Sequence, residues 1–194
     1  DFDGGSPDCL VPAGYIFFAQ FVDHDVTLDT TSDLRGAALS NEEVAKLPNI
    51  RSASLDLDCV YGFGPEASPH IYDADRPGRI AEHPNGYDLA RSPGGVALIG
   101  DPRNDENIFV AQTQLLFQRL HNRLYVERAG RNFEEAQRET RFHYQWIVLF
   151  DFLKRLCDPE VWRFAAERIC DPKTTFPLCY GVDEHGKLPM PVEF

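Results

Sequence analysis

The chain has 194 residues, 43% hydrophobic and 12% aromatic, which is enough for one folded domain with a sizeable core and excludes a disordered chain. Nineteen Lys and Arg against 31 Asp and Glu leave a formal charge of −12, the wrong sign for a nucleic-acid partner, whose phosphates need a basic surface. The cysteines (Cys9, Cys59, Cys157, Cys170 and Cys179) are dispersed without zinc-ligand spacing, and no apolar run is long enough to span a membrane.

Residues 1–14, rich in Gly, Pro and Asp, read as an irregular arm. Residues 15–26, YIFFAQFVDHDV, predict a buried helix whose few polar side chains fall on one stripe. A polar connection follows over 27–51, with a short helix near 41–47. Residues 52–62 read as an extended stretch, and 63–102, which hold much of the Pro and Gly, as a long irregular loop wrapping the core. From 105 to 128 apolar residues recur at helical spacing (Ile108, Ala111, Leu115, Leu116, Leu120, Leu124), and Gly130 ends that helix. Asn132 with Glu135 has the spacing of a capping box for a helix running to about 157. Asp158 and Pro159 are an N-cap and first-turn proline for a short helix, and residues 171–194 are again Pro-rich and irregular. The expected fold is mainly α, with long irregular loops and little sheet.

Three segments carry candidate chemistry. In the first, Gln20 and His24 are four apart and share a helical face, Asp23 borders that face, and Asp25 points elsewhere. Each would be costly to bury alone, so partners are expected. An Asp-His-Asp tripeptide by itself is more often a satisfied core histidine between aspartates, and neighbours on a helix cannot all face one metal ion. In the second, SASLDLD at 52–58, an extended chain would put Ser52, Ser54, Asp56 and Asp58 on one side, oxygen donors suited to calcium. The plain alternative is an edge strand with one wet face. In the third, GDPRNDEN at 100–107, Arg103 and Glu106 are three apart, compatible with a simple ion pair at a helix start. His121, in LHNRL, reads as structural.

Together and in this order, FFAQFVDHDVTLD, SASLDLDCVYG and IGDPRNDENIFVAQTQLLFQRLHNRL resemble the distal helix, calcium loop and distal-arginine segment of the animal-type haem peroxidase superfamily. The resemblance covers roughly residues 14–170 and is nearer to prokaryotic members than to the vertebrate enzymes. It implies a haem peroxidase that reduces hydrogen peroxide and oxidises halides or small organic donors. His24 would shuttle the peroxide proton, as suits a side chain that titrates near neutral pH, and Arg103 would stabilise charge as the O–O bond breaks. Gln20 would bond distal water or a halide. Asp23 and Glu106 match carboxylates that form ester links to haem b. Asp25 would join Ser52, Ser54, Asp56 and Asp58 around calcium. The sequence departs from the family at Asp58, where a serine is usual, and at Ser54, where an aromatic residue is usual.

The resemblance also implies a proximal histidine on the iron, in a segment like RFGH. No such segment occurs, and His70, His83, His143 and His185 lack its context. The expectation is a single domain forming the distal, N-terminal portion of the catalytic unit, with the proximal histidine on a second chain or on sequence beyond Phe194. Secretion is compatible with a chain that begins at Asp1. Two other readings stay open: a haem fatty-acid dioxygenase of the cyclooxygenase-like branch, and a non-catalytic, calcium-stabilised helical module for interactions.

Overall fold

The computed structural model describes residues 11–31, 35–44, 46–52, 54–128 and 130–169. The arm expected over residues 1–14 is thus described only from residue 11. The irregular stretch expected over 171–194, with His185 and Cys179, lies outside the described residues, as does Cys170.

The described chain is mainly helical, and its only β pairing is in isolated bridges, such as Tyr72 with Ile80, in the long loop. Three helices carry the core: α1 (Gly14–Val26), α5 (Ile108–Glu127) and α6 (Phe133–Ile147). Short helices α2 (Asn41–Val44), α3 (Asp58–Tyr61) and α4 (Gly64–Ala67) lie between α1 and α5, with 3₁₀ turns at Pro69–Ile71 and Pro102–Asp105. After α6 come a π turn (Val148–Phe152), α7 (Leu153–Leu156) and α8 (Pro159–Ile169).

Each main helix contributes one ring to the centre. Phe21 of α1 stacks on Phe117 of α5 with centroids 5.2 Å apart, and Tyr144 of α6 meets both edge-on at 6.0 and 5.3 Å. Such pairs contribute about 0.5–1.5 kcal/mol beyond the apolar area they bury. Polar side chains fix where the helices start. Asn107 accepts from the amides of Phe109 and Val110, Asn132 from that of Glu135, and Asp158 from those of Glu160 and Val161. Each satisfies donors that a helix start would otherwise leave unpaired, worth about 1 kcal/mol.

The loop from 63 to 102 is held down by α5. Asn122 accepts from the Ile80 amide at 2.8 Å and donates to the Ile80 carbonyl at 2.9 Å. Tyr125 donates its hydroxyl to the Pro77 carbonyl at 2.8 Å. His121, fully buried, lies between the Tyr61 hydroxyl at 3.1 Å and the Gly78 carbonyl at 2.8 Å, and burial pushes its pKa down to about 4. The structural role expected of His121 is therefore what the packing gives. The loop ends at Gly100, where a Cβ would lie 2.7 Å from the carbonyl oxygens of Asp58 and Cys59. Only glycine lets the chain pass so near α3 on its way to the Pro102–Asp105 turn.

One expectation is corrected. The extended stretch expected over 52–62 is not found among its described residues, because Leu55 (φ 51°) and Leu57 (φ 60°) are left-handed and α3 begins at Asp58. The alternation that would have put four oxygen donors on one side does not exist. Burial of Leu57 against α1 overrides the local pattern. His143 lies on the exposed face of α6, with Nδ1 2.8 Å from the Glu139 carbonyl.

Candidate functional site

The last two turns of α1 pack against the Pro102–Asp105 turn and the start of α5. This junction brings Gln20, Asp23 and His24 to Arg103, Asn104 and Asn107. The Asn107 side chain that caps α5 also donates to Gln20 Oε1 at 3.1 Å, so one residue starts one helix and tethers the other. The amide nitrogen of Gln20 is left as a donor. Asp23 is half-buried and accepts from the Thr27 hydroxyl at 3.2 Å, and Glu106 is exposed.

His24 is buried, at 3% exposure, with Nδ1 2.7 Å from Asn104 Oδ1. Asn104 is fully buried and donates from Nδ2 to Gln114 Oε1 at 2.8 Å, and Gln114 Nε2 reaches the Cys59 carbonyl at 3.4 Å. A line of buried amides thus connects the imidazole to α3.

Arg103 does not form the ion pair with Glu106 that spacing alone allowed. Its guanidinium lies on Asp101, through Nε at 3.1 Å and Nη2 at 2.9 Å. Nη2 also donates to the carbonyls of His24 at 3.0 Å and Thr27 at 2.6 Å, at the end of α1. A cation there meets the negative end of the helix and its unpaired carbonyls. Asp101 is fully buried and takes Arg51 as well, at 2.7 Å. Burial alone would raise its pKa, but Arg103 and Arg51 outweigh that and hold the carboxyl below its ordinary value. Asp101 and Asn104, which organise this junction, were not singled out from sequence. A buried aspartate directly before a proline-led turn is their only local signal, as an N-cap accepting from the Arg103 amide at 3.0 Å.

The expected calcium ligands gather only in part. Asp25 is fully buried on the other side of α1 from Gln20, accepting from the Leu57 amide at 3.2 Å and from the Cys59 thiol at 3.5 Å. Burial, with a smaller contribution from the charge of Asp56, pushes its pKa up to about 6. Burial and then Asp56 also raise Asp58. Asp56 accepts from the Ser52 hydroxyl at 2.8 Å through Oδ2, while its Oδ1 is buried without a hydrogen-bond partner. The Tyr144 hydroxyl, beside Asp25, likewise finds no well-formed bond. Ser54 is exposed, and its carbonyl accepts from Gln145 at 3.2 Å. Among the described residues, no three His, Cys, Asp or Glu side chains are arranged to hold a metal ion.

Open grooves of about 350 and 390 Å³ among the described residues run beside the C-terminal half of α5, among Arg76, Arg79, Arg119, Arg123 and Arg131, and none of the residues gathered at the α1 junction lines them. No helix among the described residues is long and apolar enough to cross a membrane. No family model matches the chain, and no curated protein matches it.

Proposed function

We propose that this chain supplies the distal side of a haem-dependent peroxidase, acting on hydrogen peroxide with halides or small organic molecules as electron donors. The observation that carries the proposal is the buried imidazole of His24, oriented by Asn104 and set beside the arginine-held end of α1. A general acid–base needs a histidine fixed in one orientation with a nitrogen left for the substrate. His24 meets the first condition through its 2.7 Å bond to Asn104.

The donor set at the junction suits haem b. Ile16 (69% exposed) and Phe109 (58% exposed) offer apolar surface close to Gln20 and Glu106, and Phe109 stacks on Phe17 of α1 at 4.3 Å. Bound haem would supply the redox centre at which peroxide is reduced. His24 would take the peroxide proton at Nε2 and return it to the departing oxygen. The Gln20 amide nitrogen would hold a water or halide. Arg103 would act chiefly by fixing the backbone that carries His24 and by its charge nearby. Asp23 and Glu106 would flank the cofactor as the carboxylates for ester attachment. Calcium belongs to the same proposal as a structural ion that would have to draw Asp25, Asp56 and Asp58 together from the positions described above, with oxygens from Ser52 and Ser54. The unpartnered Asp56 Oδ1 and the mutual repulsion of these carboxylates support it. We assign the proximal histidine to a partner chain or to sequence other than the described residues, since His121 is committed to Tyr61 and Gly78, His143 to the Glu139 carbonyl, and His70, exposed, and His83, half-buried, lie on the long loop.

The experiment is to titrate the full chain with haem, with imidazole in solution as a substitute axial ligand, and to follow the Soret band and peroxide-driven oxidation of a phenolic donor. Saturable haem binding and turnover that falls about 100-fold in His24→Ala are expected. A chain that takes up no haem with or without imidazole would refute the proposal.

A further inference from the structure

The hydrogen bonds around His24 run in one direction, and that direction selects a tautomer. The Cys59 carbonyl can only accept a hydrogen bond. Gln114 therefore turns its Nε2 toward Cys59 and its Oε1 toward Asn104. Asn104 must donate to that oxygen from Nδ2, which leaves Oδ1 facing His24 Nδ1. An oxygen there needs a proton on Nδ1, so Nε2 carries none.

If Asn104 turned over, Nδ2 would face Nδ1, and the imidazole would carry its proton on Nε2. Asn104 Oδ1 would then require a donor from Gln114, which would have to turn as well. That would set Gln114 Oε1 against the Cys59 carbonyl oxygen with no proton between them. Asn104 and Gln114 are fully buried and His24 nearly so, so water has little access to repair the mismatch. A buried unsatisfied pair of this kind disfavours the flipped arrangement by roughly ten-fold or more.

We infer that Asn104 and Gln114 are positioning residues that lock His24 in the Nδ1–H tautomer, leaving Nε2 as the bare nitrogen that receives the substrate proton. The role in proton transfer rests on the proposed peroxidase function, whereas the tautomer does not. With the other tautomer, His24 would present a donor where the chemistry requires a base. The device also ties the imidazole to the Cys59 carbonyl, and so to the segment that carries Asp56 and Asp58.

The test uses the full chain without cofactor, labelled with ¹⁵N histidine, at about pH 8.5, above the ordinary imidazole range. Long-range ¹H–¹⁵N correlations report which ring nitrogen is protonated, and His24→Gln assigns the signal. The wild type is expected to hold the Nδ1–H form in roughly ten-fold excess or more. Asn104→Leu should shift His24 toward the Nε2–H form, which free histidine favours. Asn104→Asp, which can only accept, should keep Nδ1–H. Gln114→Met removes the outer anchor, leaves the His24–Asn104 contact intact and should give a mixture. Should Asn104→Leu not fold, the Gln114→Met spectrum and the wild-type tautomer decide. A wild type in the Nε2–H form, or Asn104→Leu and Gln114→Met proteins that fold and leave the tautomer unchanged, would overturn the inference. Because no haem is present, a failure to bind haem leaves this result standing, and the wrong tautomer leaves haem binding to be judged separately.

Discussion

Lowering the pH should destabilise the protein through His121 by an amount the structure sets. The residue is wholly buried between a phenol and a carbonyl, and its pKa falls from 6.5 to about 4 because burial disfavours the charged ring. The unfolded chain binds a proton near pH 6.5 and the folded chain only near pH 4, so stability is full above 6.5 and is lost as the pH falls toward 4. Integrating between pH 7 and pH 4.5 gives a loss of about 2 kcal/mol from this one group. Other groups titrate in the same window, and a non-titrating replacement isolates the contribution. His121→Gln can still donate to Gly78 and accept from Tyr61. Urea denaturation of both proteins across this range should show wild-type stability falling about 2 kcal/mol further than that of the variant. Parallel curves would refute the idea that His121 is buried neutral. A wild type that lost less than the variant would reverse its sign.

Asp101→Ala leaves Arg51 and Arg103 without their shared carboxylate and should cost about 3 kcal/mol in urea denaturation. A loss below about 1 kcal/mol would mean that solvent already screens the pair. If calcium lies among Asp25, Asp56 and Asp58, then calcium at about 100 times its dissociation constant should stabilise the metal-stripped chain by about 2.7 kcal/mol. That corresponds to a rise in Tm of about 5–10 °C, and Asp56→Ala should abolish it. An unchanged melting curve at saturating calcium would remove the ion from the proposal.

Much of the architecture is legible in the sequence because its signals are local. The apolar run at 15–26 matches α1 to within a residue, and Asn132 and Asp158 cap the helices their spacing announces. The α5 helix begins at Ile108 rather than near 105, because Pro102–Asp105 forms its own 3₁₀ turn before Asn107 caps the longer helix. The failure at 52–62 has a physical cause. Alternation implies a shared face only in an extended chain, and two left-handed leucines remove that condition. Within the site, the pairing of α1 with the GDPRND turn follows from the quoted motifs. The partners that give the site its geometry do not, because Asn104, Gln114 and the Cys59 carbonyl meet only through tertiary packing. No period or dipeptide encodes such a contact.

The π turn at Val148–Phe152 has a consequence for how this chain tolerates change. In it, the Leu153 amide reaches back five residues to the Val148 carbonyl, and the Leu149 carbonyl accepts from the Trp162 indole at 2.8 Å. The same turn carries Phe152, stacked on Tyr15, and Asp151, which accepts from the Tyr15 hydroxyl. It works as a single-residue spacer between two helical registers. Deleting one residue there would restore an ordinary helix and rotate everything after it by about 100° about the axis. Trp162 would then lose its carbonyl, and Tyr15 its ring and carboxylate. Substitutions along α6 and α8 should therefore be absorbed one at a time, whereas a change of one residue in length between them would disconnect the end of the described chain from the start of α1.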